Sequence, residues 1–113
     1  MCRAIWVLIY AGDPETGKRI RRAAGADVQV VGMAIDTDEL TQLIATTKAD
    51  VILVASGAPR AREIVPTVAS ADRAVVWIGG DAPPEIAFAV EDRDAMEDSL
   101  PGAITKALIA RKR

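Results

Sequence analysis

The stretch that decides the fold reads Ala49-Asp50-Val51-Ile52-Leu53-Val54-Ala55-Ser56-Gly57. It is a continuous apolar run, rich in β-branched residues, that an acid precedes and Ser-Gly closes. A strand buried on both faces of a parallel sheet has this pattern, because helices cover both faces and polar alternation is not needed. The stretch is therefore predicted to be the central strand. Open parallel sheets place their sites beyond the carboxyl ends of strands, which here means Ala55, Ser56 and Gly57.

The rest of the chain alternates strands with helices around that centre. The further strands are predicted at residues 3–11, 27–35 and 73–80, and the helices at residues 13–24, from 36, from about 59 and from about 99. Short loops between alternating elements imply right-handed crossovers and a layered sandwich. With a fifth strand, the fold class is α/β: a single flavodoxin-like three-layer α/β/α sandwich with a five-stranded parallel sheet of order 2-1-3-4-5.

Two of the helices carry strong start signals. Asp13-Pro14-Glu15 supplies an acid for the N-cap, a proline for the first helical position and an acid for the first turn. Asp36-Thr37-Asp38-Glu39 supplies a second cap. We expect Gly25 to end the first helix, and we expect Pro66 to kink or end the third because it lacks a backbone donor.

The fifth strand has two alternative positions. In one, residues 85–90 (Glu-Ile-Ala-Phe-Ala-Val) are the strand and a helix has been lost before it. In the other, residues 83–91 form a short helix and residues 94–97 are the strand. The apolar run favours the first position, whereas the usual spacing of the fold favours the second. The sequence leaves both open.

Composition excludes several classes of function. The net charge is −2, from 14 basic and 16 acidic residues, so neither nucleic acid nor a membrane is indicated as a partner. The chain has one cysteine, Cys2, and no histidine. An internal disulfide, thiolate–imidazole catalysis and the usual zinc sites are therefore excluded, and a reducing, cytoplasmic location is expected. No catalytic set, metal site or cofactor is predicted.

Two patterns match parts of nucleotide sites without completing them. Residues 12–18, Gly-Asp-Pro-Glu-Thr-Gly-Lys, fit the first seven positions of a phosphate-binding loop, but Arg19 replaces the hydroxyl residue that would hold magnesium. Pro14 removes one backbone donor, and an ordinary capped helix start accounts for the same residues. Asp36 could hold a ribose hydroxyl, but no Gly-x-Gly-x-x-Gly follows the first strand, and Asp36 already serves as a helix cap.

The order of elements resembles the receiver domains of bacterial response regulators over nearly the whole chain. In that family the first strand ends in an acidic pair before a helix often begun by Asp-Pro-Glu, and Gly12-Asp13-Pro14-Glu15-Thr16 is similar. Asp50-Val-Ile-Leu-Val-Ala55-Ser-Gly-Ala-Pro59 resembles their third strand, which carries the phosphorylated aspartate four residues before a proline. The resemblance implies one receiver-like domain over residues 1–113, either alone or at the amino terminus of a longer protein.

This chain departs from the family at the positions that phosphorylation requires. Receivers need acids that hold magnesium, a carboxylate nucleophile and a lysine that neutralises the phosphoryl group. The corresponding positions here are Ala11 and Gly12 for the acidic pair, with Asp13 displaced outward by one; Ala55, followed by Ser56, for the phosphoacceptor; Gly79 for the switch hydroxyl; and Glu91 or Asp98 for the lysine. The resemblance therefore implies a pseudo-receiver with a degenerate phosphorylation pocket. Similar domains occur in clock-associated proteins and at the amino terminus of ParA/MinD-type pilus-assembly ATPases.

A second resemblance leads to an alternative function. Residues 26–32, 49–56 and 77–83 are similar to cobalamin-binding domains, in which the histidine of an Asp-x-His-x-x-Gly motif ligates cobalt. That ligand is absent here because the chain has no histidine. Small residues at the ends of the third and fourth strands would still give a ligand space. The alternative is therefore a small-ligand or cofactor-binding domain of cobalamin or nucleotide type.

A receiver-like domain without a switch is expected to bind a protein partner or a downstream output domain through a permanent surface. Receivers most often associate through the fourth and fifth strands and the final helix. On that side the connection at residues 91–98 is acidic, and Phe88, Asp92 and Asp94 are the predicted contact residues. The first helix carries the opposite charge at residues 18–22. We expect partner binding, or weak dimerisation, that decreases with salt.

Overall fold

Strands and helices alternate along the chain. The computed structural model describes residues 5–24, 28–58, 60–68, 74–80, 89–90 and 96–111. The elements are β1 (Ile5–Tyr10), α1 (Pro14–Ala24), β2 (Val28–Ala34), α2 (Thr37–Thr46), β3 (Val51–Ala55), α3 (Ala61–Val68), β4 (Ala74–Ile78), β5 (Ala89–Val90) and α4 (Met96–Arg111). The strands are parallel and form one sheet in the order β2-β1-β3-β4-β5. The predicted flavodoxin-like α/β fold and its strand order are confirmed.

β3 is the central strand, as its sequence predicts. All of its residues are buried, with side chains at most 3% exposed. β1 lies on one side and β4 on the other, so that Val54 pairs with both Tyr10 and Trp77. Full burial of one Val, Leu or Ile side chain stabilises a fold by roughly 1.5–3 kcal/mol. A strand made almost entirely of such residues is therefore a major source of the stability of this domain.

Helices cover both faces of the sheet, and each face has its own apolar core. On one face α1 packs against α4. The buried helix residues of that core are Ile20, Ala23, Ala24, Leu100, Ile104 and Ala107. α2 and α3 cover the other face. The buried residues that they contribute there are Leu40, Ala61 and Val65. Apolar side chains of the helices therefore seal both faces of the sheet.

Asp50, which precedes β3, joins the amino ends of three strands. Its backbone N–H donates to the carbonyl oxygen of Trp6 at 2.8 Å, and its own carbonyl oxygen accepts from the N–H of Ala74 at 3.0 Å. Its carboxylate oxygen Oδ2 accepts a further hydrogen bond from the N–H of Trp6 at 3.1 Å. The residue therefore fixes β1, β3 and β4 relative to one another at this edge of the sheet.

α1 lies close to β2 because Gly17 has no side chain. Gly17 is buried, and a β-carbon placed on it would overlap Sδ of Met33 and lie 3.0 Å from Cε of the same residue. The thioether of Met33 occupies the volume that a side chain at position 17 would need. Packing against β2 thus accounts for the second glycine of the loop at residues 12–18.

The structure places the fifth strand in one of its two predicted positions. β5 falls inside the strand expected at residues 85–90, and residues 85–88 lie outside the described ones. The alternative strand at residues 94–97 is wrong, because α4 already contains Met96 and Glu97. α4 also begins three residues before Ser99, its expected start. Acidic residue types are favourable in the first turn of a helix, which is where residues 97 and 98 fall.

α3 lies close to its predicted position. It begins at Ala61, after a turn in which the N–H of Ala61 donates to the carbonyl oxygen of Ala58 at 3.2 Å. It extends past Pro66 to Val68, so Pro66 does not end the helix. Gly25, the expected end of the first helix, lies outside the described residues.

Candidate functional site

The predicted pocket residues lie together at the carboxyl edge of the sheet. They are Ala11, Gly12 and Asp13 after β1, Ala55 and Ser56 at the end of β3, and Gly79 after β4. β1 and β4 are the two neighbours of β3, so the three chain segments are adjacent. In an open parallel sheet this edge is where ligands and reactive groups are held. The side chains found here decide what chemistry the edge can support.

The loops after β1 and β3 are in close backbone contact at Gly12 and Gly57. A β-carbon placed on Gly12 would lie 2.8 Å from the carbonyl oxygen of Gly57 and 3.4 Å from its carbonyl carbon. Neither atom belongs to a flexible side chain, so a larger residue at position 12 would require the backbone to move. Gly12, which the sequence predicts to replace one of the two metal-binding acids of a receiver, therefore has no room for a β-carbon unless the main chain moves.

Ala55 and Gly79 lack the groups that receiver phosphorylation uses. Ala55 is 3% exposed, and the next residue, Ser56, is held by a 2.8 Å hydrogen bond from its N–H to the carbonyl oxygen of Ile78. Gly79 is buried and has a φ of 118°, a conformation that residues with a side chain rarely adopt. A serine or threonine at position 79 would be strained, so this backbone does not suit a switch hydroxyl.

The carboxylate of Asp13 caps α1. Oδ1 accepts from the hydroxyl of Thr16 at 2.5 Å, and Oδ2 accepts from the N–H of Thr16 at 3.3 Å. These are the contacts of an N-cap residue, as Asp-Pro-Glu predicts. Asp36 caps α2 in the same way, accepting from the N–H of Glu39 at 2.7 Å. Each carboxylate therefore accepts a backbone N–H of the first helical turn. This is the helix-cap role that the sequence predicts for Asp13 and Asp36.

Trp77 fixes the turn that follows β4. Its side chain is 1% exposed, and Nε1 donates to the carbonyl oxygen of Gly80 at 3.0 Å. A buried indole N–H needs such an acceptor. The sequence predicts a strand at residues 73–80, but nothing in it identifies the carbonyl that the indole of Trp77 would reach.

A groove between α2 and α3, which the sequence does not predict, opens at the same edge. It has a volume of about 270 Å³ and is lined by Thr37, Thr41, Arg60, Glu63 and Ile64. The lining residue Arg60 is exposed, and its Nε lies 2.8 Å from Oε2 of Glu63. Arg60 has a φ of 53°, in the left-handed region. The volume is below the roughly 300–1,000 Å³ of sites that enclose cofactor-sized ligands.

Tyr10 lies in the buried core of the same sheet face, at the carboxyl end of β1. Its side chain is fully buried among the α2 and α3 residues of that core. Burial raises the pKa of its phenol, the negative charge of Asp36 raises that pKa further, and the Arg60 guanidinium opposes both effects. Tyr10 is thus neutral over the physiological pH range.

Two further kinds of site are absent from the described ranges. Within them, no group of three or more His, Cys, Asp or Glu side chains is placed to hold a metal ion. No helix of the described part of the chain has the length and hydrophobicity to cross a membrane. The predicted partner contacts Phe88, Asp92 and Asp94, and residue 91, lie outside the described residues.

The fold is that of bacterial receiver domains. No protein-family model matches the chain, and no curated protein sequence matches it either. Solved structures do match. The signal receiver domain of an HD domain-containing protein from Pseudomonas fluorescens Pf-5 superposes with a TM-score of 0.73 and 15% identity, covering 97% of this chain and 98% of that one.

Two other receiver domains are similar to the same extent. The response regulator domain of Thermotoga maritima CheB gives a TM-score of 0.75 and 16% identity, covering 95% of this chain and 98% of that one. The non-phosphorylated receiver domain of the stress response regulator RcsB from Escherichia coli gives a TM-score of 0.75 and 16% identity, covering 96% of this chain and 95% of that one. These matches confirm the predicted receiver-like fold.

Proposed function

We propose that this chain is a non-phosphorylatable receiver-like module that acts in cytoplasmic signalling or protein localisation by binding protein partners, without catalysing a reaction. The observation that carries this proposal is Ala55. It ends the central strand, and its side chain is a buried methyl group. The resemblance to receivers predicts the phosphoacceptor at this position. A methyl group cannot form an acyl phosphate.

The surroundings of Ala55 support the same conclusion. Ala11 supplies no carboxylate for magnesium, and Gly12 packs against the Gly57 carbonyl where a second carboxylate would be needed. Asp13, the nearest acid along the chain, is engaged with Thr16 in the helix cap. Phosphoryl transfer depends on a metal ion and positioned charges around the nucleophile. Restoring one group alone would therefore not restore the reaction.

The test is incubation with magnesium and acetyl phosphate, followed by intact-mass measurement, with a phosphorylatable receiver as the positive control. We expect no phosphoryl adduct on this chain or on its Ala55→Asp variant. A hydroxylamine-labile adduct on any aspartate of the natural chain would contradict the proposal. An adduct on Ala55→Asp alone would show that the nucleophile is the one missing group and that the rest of the pocket is intact.

The partner surface is proposed from charge. Lys18, Arg21 and Arg22 are exposed on α1, and the acids of residues 91–98 follow β5 in the sequence. Exposed charges are screened over ~8 Å at physiological salt, so they set orientation and association rate more than affinity. Phe88 is proposed to add apolar contact. Reversing Asp92 and Asp94 to lysine is expected to weaken binding to a natural protein partner, and binding indifferent to the reversal would contradict this surface.

A further inference from the structure

The described sheet ends in β5 on one side and in β2 on the other. β2 is a strand of seven residues. Among the described strands, β2 pairs with β1 on one side and stands at the end of the sheet on the other. An edge strand presents backbone N–H and C=O groups that can pair with another chain. Proteins usually limit this by making edge strands short, charged or interrupted by proline.

β2 has few of these protective features. Its sequence, Val-Gln-Val-Val-Gly-Met-Ala, contains no charged residue and no proline. One irregularity is present: Val7 pairs with Val30 and Leu8 with Gly32, so that Val31 is an extra residue in β2. A bulge of this kind increases the local twist without removing the backbone groups on either side of it. The outer edge of β2 is therefore long and poorly protected against pairing with another strand.

The neighbouring helices cover the faces of β2 without burying it. Met33 packs under Gly17 of α1 on one face, and Leu43 of α2 lies against Gly32 on the other. Even so, the side chains from Val28 to Met33 are all partly accessible, and that of Gln29 is exposed. A further strand could thus approach β2 in the plane of the sheet.

The charges around β2 differ between its two ends. Arg21 and Arg22 are exposed in the last turn of α1, which ends shortly before β2 begins. The sequence also has one acid, Asp27, directly before the strand. The other end is acidic. The exposed acids that follow β2 are Asp36, Asp38 and Glu39.

We propose that β2 is a self-association edge: the β2 strand of a second copy pairs with it antiparallel, and the two sheets continue across a two-fold axis. Antiparallel pairing brings the basic end of each strand towards the acidic end of the other, whereas parallel pairing would bring like charges together. Only uncharged side chains then face one another along the strands. The two-fold axis makes the assembly a closed dimer rather than a fibre.

This inference rests on the proposed protein-binding function and deepens it by naming a partner. One strand pair buries less area than a standard interface, so the dimer is weak. The first test is sedimentation velocity from micromolar to millimolar concentration at low salt, where the average mass is expected to rise from that of the monomer towards twice that value. Gln29→Glu adds an acid to the basic half of the edge and is expected to weaken dimerisation roughly fivefold.

Gln42→Glu is the matched control. It makes the same change of charge at an exposed position of α2 that points away from the sheet, and it is expected to dimerise like the natural chain. Amide hydrogen exchange gives a second test that needs no variant. The amides of β2 are expected to exchange more slowly at high protein concentration, while those of α2 keep their rates.

Three results would each overturn the proposal: a monomer at every concentration, β2 exchange that is independent of concentration, or an equal effect of the two glutamine variants. The acetyl phosphate experiment does not respond to dimerisation. A phosphoryl adduct would therefore contradict the proposed function and leave the β2 pairing standing. A strict monomer without an adduct would contradict the β2 pairing and leave the proposed function standing.

Discussion

The backbone N–H of Trp6 donates a 3.1 Å hydrogen bond to Oδ2 of Asp50, 44 residues further along the chain. This bond, with the two backbone bonds of the same aspartate, holds the amino ends of β1, β3 and β4 together. An acid before a buried strand looks in the sequence like a solvated loop residue. In the fold its side chain serves as an acceptor for a neighbouring strand.

Removing that acceptor is expected to destabilise the domain. Asp50→Ala leaves the partly buried Trp6 N–H without its side-chain partner, which costs about 1–3 kcal/mol of unfolding free energy. Asp50→Asn keeps an acceptor oxygen of the same reach and is the control. Urea denaturation followed by circular dichroism measures both. Equal stability of the alanine and asparagine variants would mean that the side-chain bond contributes nothing.

The contact between Gly12 and Gly57 can be tested with a pair of alanines. Gly12→Ala places a β-carbon 2.8 Å from a main-chain carbonyl oxygen and is expected to cost about 1–3 kcal/mol through backbone displacement. A β-carbon on Gly57 meets no atom within 4 Å, so Gly57→Ala is expected to be neutral within about 0.5 kcal/mol. Thermal denaturation of the two variants checks the difference. A larger loss of stability for Gly57→Ala than for Gly12→Ala would contradict the described contact between the loops after β1 and β3.

Val54→Asp is expected to unfold the domain. Val54 is fully buried between Tyr10 and Trp77 in the central strand. An unpaired charge buried there costs several kcal/mol against a total stability of about 5–15 kcal/mol. Val54→Ala removes apolar volume without adding charge and should remain folded with reduced stability. A cooperative, native-like unfolding transition for the aspartate variant would contradict the central position of β3.

The stability of the domain is expected to fall at alkaline pH through Tyr10. In the unfolded chain the phenol ionises near its ordinary pKa of about 10, whereas burial and Asp36 raise its pKa in the fold. The free energy of unfolding is therefore unaffected below pH 10 and decreases as pH rises from 10 to the pKa of the folded state. The chain has one tyrosine, so tyrosinate absorbance reports Tyr10 alone.

Tyr10→Phe is the control for this effect. The phenylalanine variant should lose that part of the alkaline dependence. If tyrosinate formed in the native protein at the pKa of a free phenol, the phenol would have to be accessible to water.

The cofactor-binding alternative predicts a thermal shift that we do not expect. Among the described residues, the groove beside Arg60 has a volume of about 270 Å³, which is small for ATP, FMN or cobalamin. None of them at millimolar concentration is therefore expected to change the melting temperature. Micromolar affinity would add about 4 kcal/mol of stability at a thousandfold excess. A shift of that size with one of the three would replace the proposed function by a ligand-binding one.

The sequence predicts the parts of the fold that local patterns determine. The apolar run of β3 and the cap residues Asp13 and Asp36 are strong local signals, and the alternation of elements then limits the topology. The sequence leaves the position of the fifth strand open, because the apolar run at residues 85–90 and the usual spacing of the fold indicate different positions. The pairing of Ala89 and Val90 with β4 decides between them.

The candidate site is only partly predictable for a different reason. The residue types at Ala55 and Gly79 can be aligned with a receiver from the sequence alone. The approach of Gly12 to Gly57, the groove beside Arg60 and the bond from Trp77 to the Gly80 carbonyl depend on loops that tertiary packing brings together. No propensity or spacing encodes such contacts, so they have to be read from the structure.

The buried indole of Trp77 gives the molecule an intrinsic fluorescent probe. The chain has two tryptophans: Trp77 is 1% exposed near the carboxyl edge of the sheet, and Trp6 is partly exposed near the amino edge. Fluorescence from the buried indole should lie at shorter wavelength than that from the accessible one, so the emission of Trp77 can be distinguished from that of Trp6. A partner that docks at the carboxyl edge would then change the blue side of the spectrum first, and binding could be followed without a label.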